Sequence, residues 1–146
     1  MKLIFIRHGA AGDKYDDPEV DFYRELTPKG KKKLQKSFKQ FKKNKIDVDV
    51  IFTSPLSRAL QTAEVFWKYH KKSDLELTVD LIPENNPFDI IEYISFLPRG
   101  GTYAFVGHEP LLSQVISIIL SAPPGQVSLK KGQILILEDK LLRRSR

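Results

Sequence analysis

The chain has 146 residues, enough for one globular domain with a sizeable core and short of the length that usually holds two. With 41% hydrophobic and 29% charged residues, eight Gly and nine Pro, it is neither collagenous nor of low complexity. It holds no apolar run of the roughly 18 residues that a membrane span requires, and the absence of Cys excludes disulfides, thiolate metal sites and cysteine nucleophiles. A net charge of +6 favours an anionic partner without choosing among nucleic acid, a phosphate ester and an acidic protein.

In chain order, Leu3-Ile4-Phe5-Ile6 is a continuous apolar run of the kind found in strands buried on both faces. It is too short for a signal-peptide core, so the expected location is the cytoplasm. Asp13 to Glu25 is polar and acidic and reads as a long loop. Thr27-Pro28 then offers an N-cap and a first-turn proline, followed by Leu34, Phe38 and Phe41 at helical spacing. Nine lysines between Lys29 and Lys45 flank that stripe, as a solvated face or a docking surface for an acidic partner. Nucleic acid is the less favoured partner, because no nucleic-acid motif accompanies the lysines. A second buried strand is expected over Val48 to Thr53. Ser54-Pro55 then reads as cap and first position of a helix carrying Leu60, Ala63, Phe66 and Trp67 on one face, with His70 near its end. Leu75, Leu77 and Val79 alternate like an edge strand. A third helix carries Ile91, Ile94 and Leu97. After a strand at Tyr103 to Val106, a fourth carries Leu112, Val115, Ile116, Ile119 and Leu120. Ile134 to Leu137, Asp139-Lys140 and Leu141-Leu142 read as a terminal hairpin. The alternation predicts a single α/β domain over residues 1–146, a three-layer α/β/α sandwich with a central, mostly parallel sheet.

Chemistry in such sheets gathers beyond the carboxyl ends of the strands. Reading only the residues that follow each predicted strand collects Arg7-His8-Gly9, Ser54-Pro55 with Arg58, Pro83-Glu84, and Gly107-His108-Glu109. Two guanidinium forks, from Arg7 and Arg58, match the oxygens of a tetrahedral dianion. A neutral imidazole held by one ring nitrogen can attack phosphorus with the other. A second, protonated imidazole would stabilise the transition state. Gly9 would let backbone approach the histidine or its phosphate. A divalent metal is disfavoured by the neighbouring arginines.

Leu3 to Gly9 (LIFIRHG), Arg24 to Gly30 (RELTPKG), Thr53 to Ala63 (TSPLSRALQTA) and Val106 to Pro110 (VGHEP) together resemble the histidine phosphatase superfamily, with its phosphoglycerate mutase-like fold. Within it, the chain is similar to the short bacterial branch of protein-phosphohistidine phosphatases. The resemblance implies that His8 is the nucleophile that becomes phosphorylated, that Arg7, Arg58 and His108 form the phosphate pocket, and that neither metal nor organic cofactor takes part. Larger members carry an insertion that covers the site and supplies an acid. Here only Ile82 to Asp89 stands in its place, and Glu84 is either a proton donor or a loop acid. The expected function is removal of phosphate from protein phosphohistidine, on a phosphotransfer domain or carrier protein. A phosphatase for a small phosphate ester and a non-catalytic basic docking module are the alternatives. Arg24 is placed away from the rim, as a loop contact or structural pair.

Overall fold

The computed structural model describes residues 1–138. Its strands are β1 (Lys2–Arg7), β2 (Val50–Thr53), β3 (Asp74–Leu77), β4 (Thr102–Gly107) and β5 (Ile134–Leu137). Its α-helices are α1 (Pro18–Phe22), α2 (Pro28–Lys42), α3 (Ser57–Lys68), α4 (Pro87–Ser95) and α5 (Leu111–Leu120), with one 3₁₀ turn at Val79–Leu81. The strands form one sheet in the order β3-β2-β4-β1-β5. All neighbours are parallel except β5, which runs antiparallel to β1. The mostly parallel sheet of the sequence reading is present.

Alternation along the central strands divides the core between two helical layers. Ile4 and Ile6 of β1, Ile51 of β2, and Ala104 and Val106 of β4 pack with Leu34 and Phe38 of α2 and with Ala63 and Phe66 of α3. Leu3, Phe5, Phe52, Tyr103 and Phe105 face the other way, onto Ile90 and Ile94 of α4 and Leu112, Val115 and Ile116 of α5. The rings of Phe5 and Phe52 stack on Phe105 from both sides, at centroid distances of 5.6 and 5.3 Å. Burial on both faces explains why these strands read as unbroken apolar runs.

The helix starts follow local chemistry. The Thr27 hydroxyl accepts from Gly30 N–H and Pro28 occupies the first turn, as the sequence indicates. The nine lysines of Lys29 to Lys45 are all exposed, as a solvated face and a docking surface alike require. Three details differ from the sequence reading. Asp13 to Glu25 contains α1, capped by Asp17 and begun by Pro18. Helix α3 starts at Ser57 rather than at Pro55, because the Ser54 oxygen accepts from Leu56 N–H before the helix begins. Val79 leaves the edge strand for the 3₁₀ turn. Ile134 to Leu137 pairs with β1, and the rest of the expected terminal hairpin, Asp139-Lys140 and Leu141-Leu142, lies outside the described residues. Among the described residues no helix is long and apolar enough to cross a membrane.

Strands β1 and β4 are neighbours, yet α2 follows β1 on one face of the sheet and α5 follows β4 on the other. Their carboxyl ends therefore open a crevice at a topological switch point.

Candidate active site

Sheet hydrogen bonding continues past the strand ends and fixes the crevice. His8 N–H donates to Gly107 O (3.0 Å) and Ser54 N–H to Val106 O (3.0 Å). His8 and His108 thus emerge side by side, with ring centroids 5.1 Å apart and planes inclined by 55°. Both are buried.

His8 Nδ1 lies 2.8 Å from the carbonyl of Gly9. A carbonyl only accepts, so Nδ1 carries the proton, and Nε2 of the neutral ring keeps its lone pair. Burial, opposed by the Gly9 hydrogen bond and aided by the charges of Arg58, Arg7 and Arg24, lowers the His8 pKa to about 4. Burial first, then His8 and the same arginines, lowers that of His108 to about 2. Both rings are neutral at physiological pH. This differs from the protonated second imidazole that the sequence suggests, because crowded guanidinium groups and burial both oppose a further cation.

Arg7 donates through one terminal nitrogen to Leu129 O (2.9 Å), which fixes its fork. Arg58 donates to the carbonyl of Asp21 (3.1 Å) and lies 3.5 Å from its carboxylate. The Nε atoms of Arg7 and Arg58 and Nδ1 of His108 are buried without a hydrogen-bond partner among the described residues. Unpaired buried polar atoms are rare, and these belong to side chains of one charged cluster.

The Gly9 backbone does approach the histidine, through its carbonyl, and the lack of a side chain serves a second contact. A Cβ there would come 2.6 Å from Leu34 Cδ1, so its close approach is to the core of α2. Its N–H donates to Thr62 Oγ1 (3.1 Å), which itself donates to Arg58 O (2.7 Å). Thr62 thereby links the loop carrying His8 to the helix carrying Arg58.

Glu84 is exposed and lines, with Tyr15, Asp21, Phe22, Leu56 and Arg58, a cavity of about 500 Å³. Its charge favours the protonated form of Arg58, so it lies within electrostatic reach of the site. Arg24 makes both a loop contact and a structural pair, but nearer the rim than expected. Its Nε donates to the Asp21 carboxylate (2.8 Å), its terminal nitrogen to Gly12 O (2.9 Å), and its charge acts on both imidazoles. Asp21 accepts also from Tyr15 N–H (3.0 Å). Burial alone would raise its pKa, but the hydrogen bonds from Tyr15 and Arg24 and the charges of Arg24 and Arg58 hold it below the usual carboxylate range. Asp21 and Thr62 are the contributors that strand-end reading misses, and Ser54, which it collects as a helix cap, also meets His108. His70 sits elsewhere, stacked on Phe66 at 4.2 Å with Nδ1 donating to Phe66 O (3.0 Å).

The model of the histidine phosphatase superfamily (branch 1) matches residues 3–82. An uncharacterised protein from Picosynechococcus sp. strain PCC 7002 is 30% identical over 145 residues, covering 95% of this chain and 86% of that protein. Among solved structures, the protein histidine phosphatase SixA complexed with tungstate superposes with a TM-score of 0.80 at 22% identity. That match covers 93% of this chain and 86% of the other. A mycobacterial glucosyl-3-phosphoglycerate phosphatase complexed with VO3 superposes with a TM-score of 0.70 at 15% identity, covering 97% and 93%. These two likenesses establish the phosphoglycerate mutase-like fold.

Proposed function

Because this chain belongs to the histidine phosphatase superfamily, we propose that it removes phosphate from protein phosphohistidine through a phosphorylated His8. The observation that carries the reading is the state of His8. It is a buried neutral ring whose Nδ1 proton is committed to Gly9 O, whose Nε2 is free, and which stands among guanidinium groups with unpaired donors. Arg7 and Arg58 bind the phosphoryl oxygens in ground and transition states. His8 Nε2 attacks phosphorus in line, a new P–N bond forms, and the P–N bond to the substrate ring breaks. Water then hydrolyses phospho-His8, releasing phosphate and the free ring. No metal or organic cofactor enters these steps.

The leaving group decides between substrate classes. Imidazole, with a conjugate-acid pKa near 6.5, is a far weaker base than an alkoxide. A phosphohistidine ring that already bears a proton on its other nitrogen departs as neutral imidazole and needs little help from a protein acid. The exposed position of Glu84, with no cover over it like that of larger members, supports the phosphohistidine reading. Its presence in the Arg58 cavity favours the alternative, a small phosphate ester, if it serves as a proton donor.

The test compares turnover of a phosphohistidine protein, an aryl phosphate and an alkyl phosphate by wild type, His8→Ala and Glu84→Gln. The reading expects His8→Ala to abolish every activity, together with acid-labile labelling of the chain. It expects Glu84→Gln to change all three substrates little and alike. A loss confined to the alkyl phosphate, on the scale of about 10²- to 10⁴-fold, would make Glu84 a general acid and turn the assignment to esters. Turnover by His8→Ala at the wild-type rate would refute the covalent route.

A further inference from the structure

Ser54 directly follows β2, the strand next to β4, and its hydroxyl oxygen lies 2.8 Å from His108 Nε2. Both residues are buried, Ser54 completely. The same oxygen accepts from Leu56 N–H at 3.2 Å. A serine hydroxyl has one proton to give and two lone pairs. That inventory limits the hydrogen bond to two arrangements for a neutral ring. If Nε2 carried the ring proton, Ser54 Oγ would accept twice. Its own proton would then have no acceptor among the described residues, and His108 Nδ1 would be a buried lone pair with no donor among them. If instead Ser54 accepts from Leu56 and donates to Nε2, every atom of the pair is satisfied except one. That one is an N–H at Nδ1, in the same condition as the unpaired Nε–H groups of Arg7 and Arg58. Burying an unused hydroxyl proton and an unused lone pair together is the costlier choice.

We propose that Ser54 is a positioning residue: by donating its hydroxyl proton to His108 Nε2 it fixes the Nδ1–H tautomer, so that His108 offers the bound oxyanion a neutral hydrogen-bond donor. The two histidines then use opposite nitrogens. His8 spends its Nδ1 proton on Gly9 and attacks through Nε2. His108 accepts at Nε2 and donates through Nδ1. The division has a physical reason. The nucleophile must present a lone pair and its neighbour a proton. Two rings 5.1 Å apart among arginines reach that complementarity without a charge on either. Supporting the main chain at Leu56 would by itself leave the proton position on a distant ring untouched, and the two roles separate on that point.

The role of the donor in turnover rests on the phosphatase reading, whereas the tautomer does not. The first readout is therefore the free protein. Nitrogen-15 spectra of the histidine-labelled full chain at neutral pH, assigned with His8→Asn and His70→Asn, should show His108 with a pyrrole-type Nδ1 and a pyridine-type Nε2. Ser54→Ala should lose that preference, and Ser54→Thr, which restores the hydroxyl, should regain it. Added tungstate should perturb the Nδ1 signal of His108. Removing a fixed oxyanion donor outright lowers turnover by about 10²- to 10³-fold. Losing only its fixed tautomer should lower kcat on an aryl phosphate about tenfold in Ser54→Ala, with KM little changed and kcat recovered in Ser54→Thr. A wild-type His108 protonated at Nε2, or at both nitrogens, overturns the proposal, and so does an unchanged tautomer in Ser54→Ala. Should Ser54→Ala not fold, the wild-type spectrum and His108→Asn against His108→Gln still decide. The shorter amide places its donor near Nδ1 and should retain more activity than the longer one. A correct tautomer in a chain that hydrolyses nothing would instead defeat the functional reading.

Discussion

The depressed pKa of His8 makes folding stability depend on pH in a window that can be calculated. In the unfolded chain the ring titrates near its ordinary 6.5, and in the folded protein near about 4. Between those values the unfolded state binds a proton that the folded state refuses. The stability associated with a neutral His8 is therefore complete above about pH 6.5 and falls as the pH drops toward 4. At 1.36 kcal/mol per pKa unit, lowering the pH from about 7.5 to about 5 removes about 2 kcal/mol through this ring alone. His108 and His70, also lowered chiefly by burial, add to the loss in the same window. Asp21 contributes only below its ordinary carboxylate range, so it does not confuse the comparison. Urea midpoints of wild type and His8→Asn at the two pH values isolate the His8 share. The variant should lose about 2 kcal/mol less than wild type. Saturating phosphate should weaken the acid sensitivity of wild type, because an anion beside His8 favours its protonated form. An identical loss in wild type and His8→Asn would refute the burial argument.

Other consequences follow from named contacts. Asp21→Ala removes the carboxylate shared by Arg24 and Arg58; tungstate affinity measured by calorimetry should fall, and the melting transition should report a loss of about 3 kcal/mol, as for a broken buried pair. Thr62→Val leaves the Gly9 N–H buried without its acceptor, at about 1–3 kcal/mol in chemical denaturation, and should lower kcat by releasing the loop that orients His8. Gly9→Ala drives a methyl group against Leu34 and should destabilise by about 1–3 kcal/mol, read from the urea midpoint, even though glycine is not required there by a positive φ. Arg7→Ala and Arg58→Ala should each weaken vanadate inhibition together with turnover, which distinguishes them from the kcat effect expected of Ser54.

How much of this was legible in sequence depends on how local each signal is. The apolar runs at Leu3–Ile6 and Tyr103–Val106 mark doubly covered strands, because burial on both faces removes alternation. Strand-end reading then brought His8 and His108 to one crevice. The acidic stretch before Glu25 hid its role. Asp17-Pro18 repeats the cap-and-proline pattern of Thr27-Pro28, and Asp21 and Arg24 stand three residues apart, so α1 and its ion pair had a local trace. That Asp21 would reach Arg58, 37 residues away, had none. Neither had the carbonyl of Leu129 as partner to Arg7, since main-chain acceptors are the same at every residue. Ser54 misled for a different reason. Its type and its following proline are those of a helix cap, but its oxygen serves Leu56 and His108 instead.

The neutrality of the two imidazoles also makes sense of the charges around them. Arg7, Arg24 and Arg58 bring three positive charges, and Asp21, buried between two of them, returns one negative charge. Glu84, in the cavity beside Arg58, offsets part of the excess, and what is left is a net positive field that would suit the phosphoryl dianion of the proposed reaction. A proton on His8 would add to that field and remove the lone pair on which the proposed attack depends. A proton on His108 would add to it without supplying a donor that the Nδ1–H tautomer lacks. Asp21 thus does more than hold two side chains in place. Without its carboxylate, Arg24 and Arg58 would lose the negative charge that lies between them. With it, the guanidinium charges are held near each other at an exposure low enough for their fields to act on phosphorus rather than on water. The acidic stretch that looks least like part of a basic anion pocket is what lets that pocket keep three arginines and two uncharged histidines together.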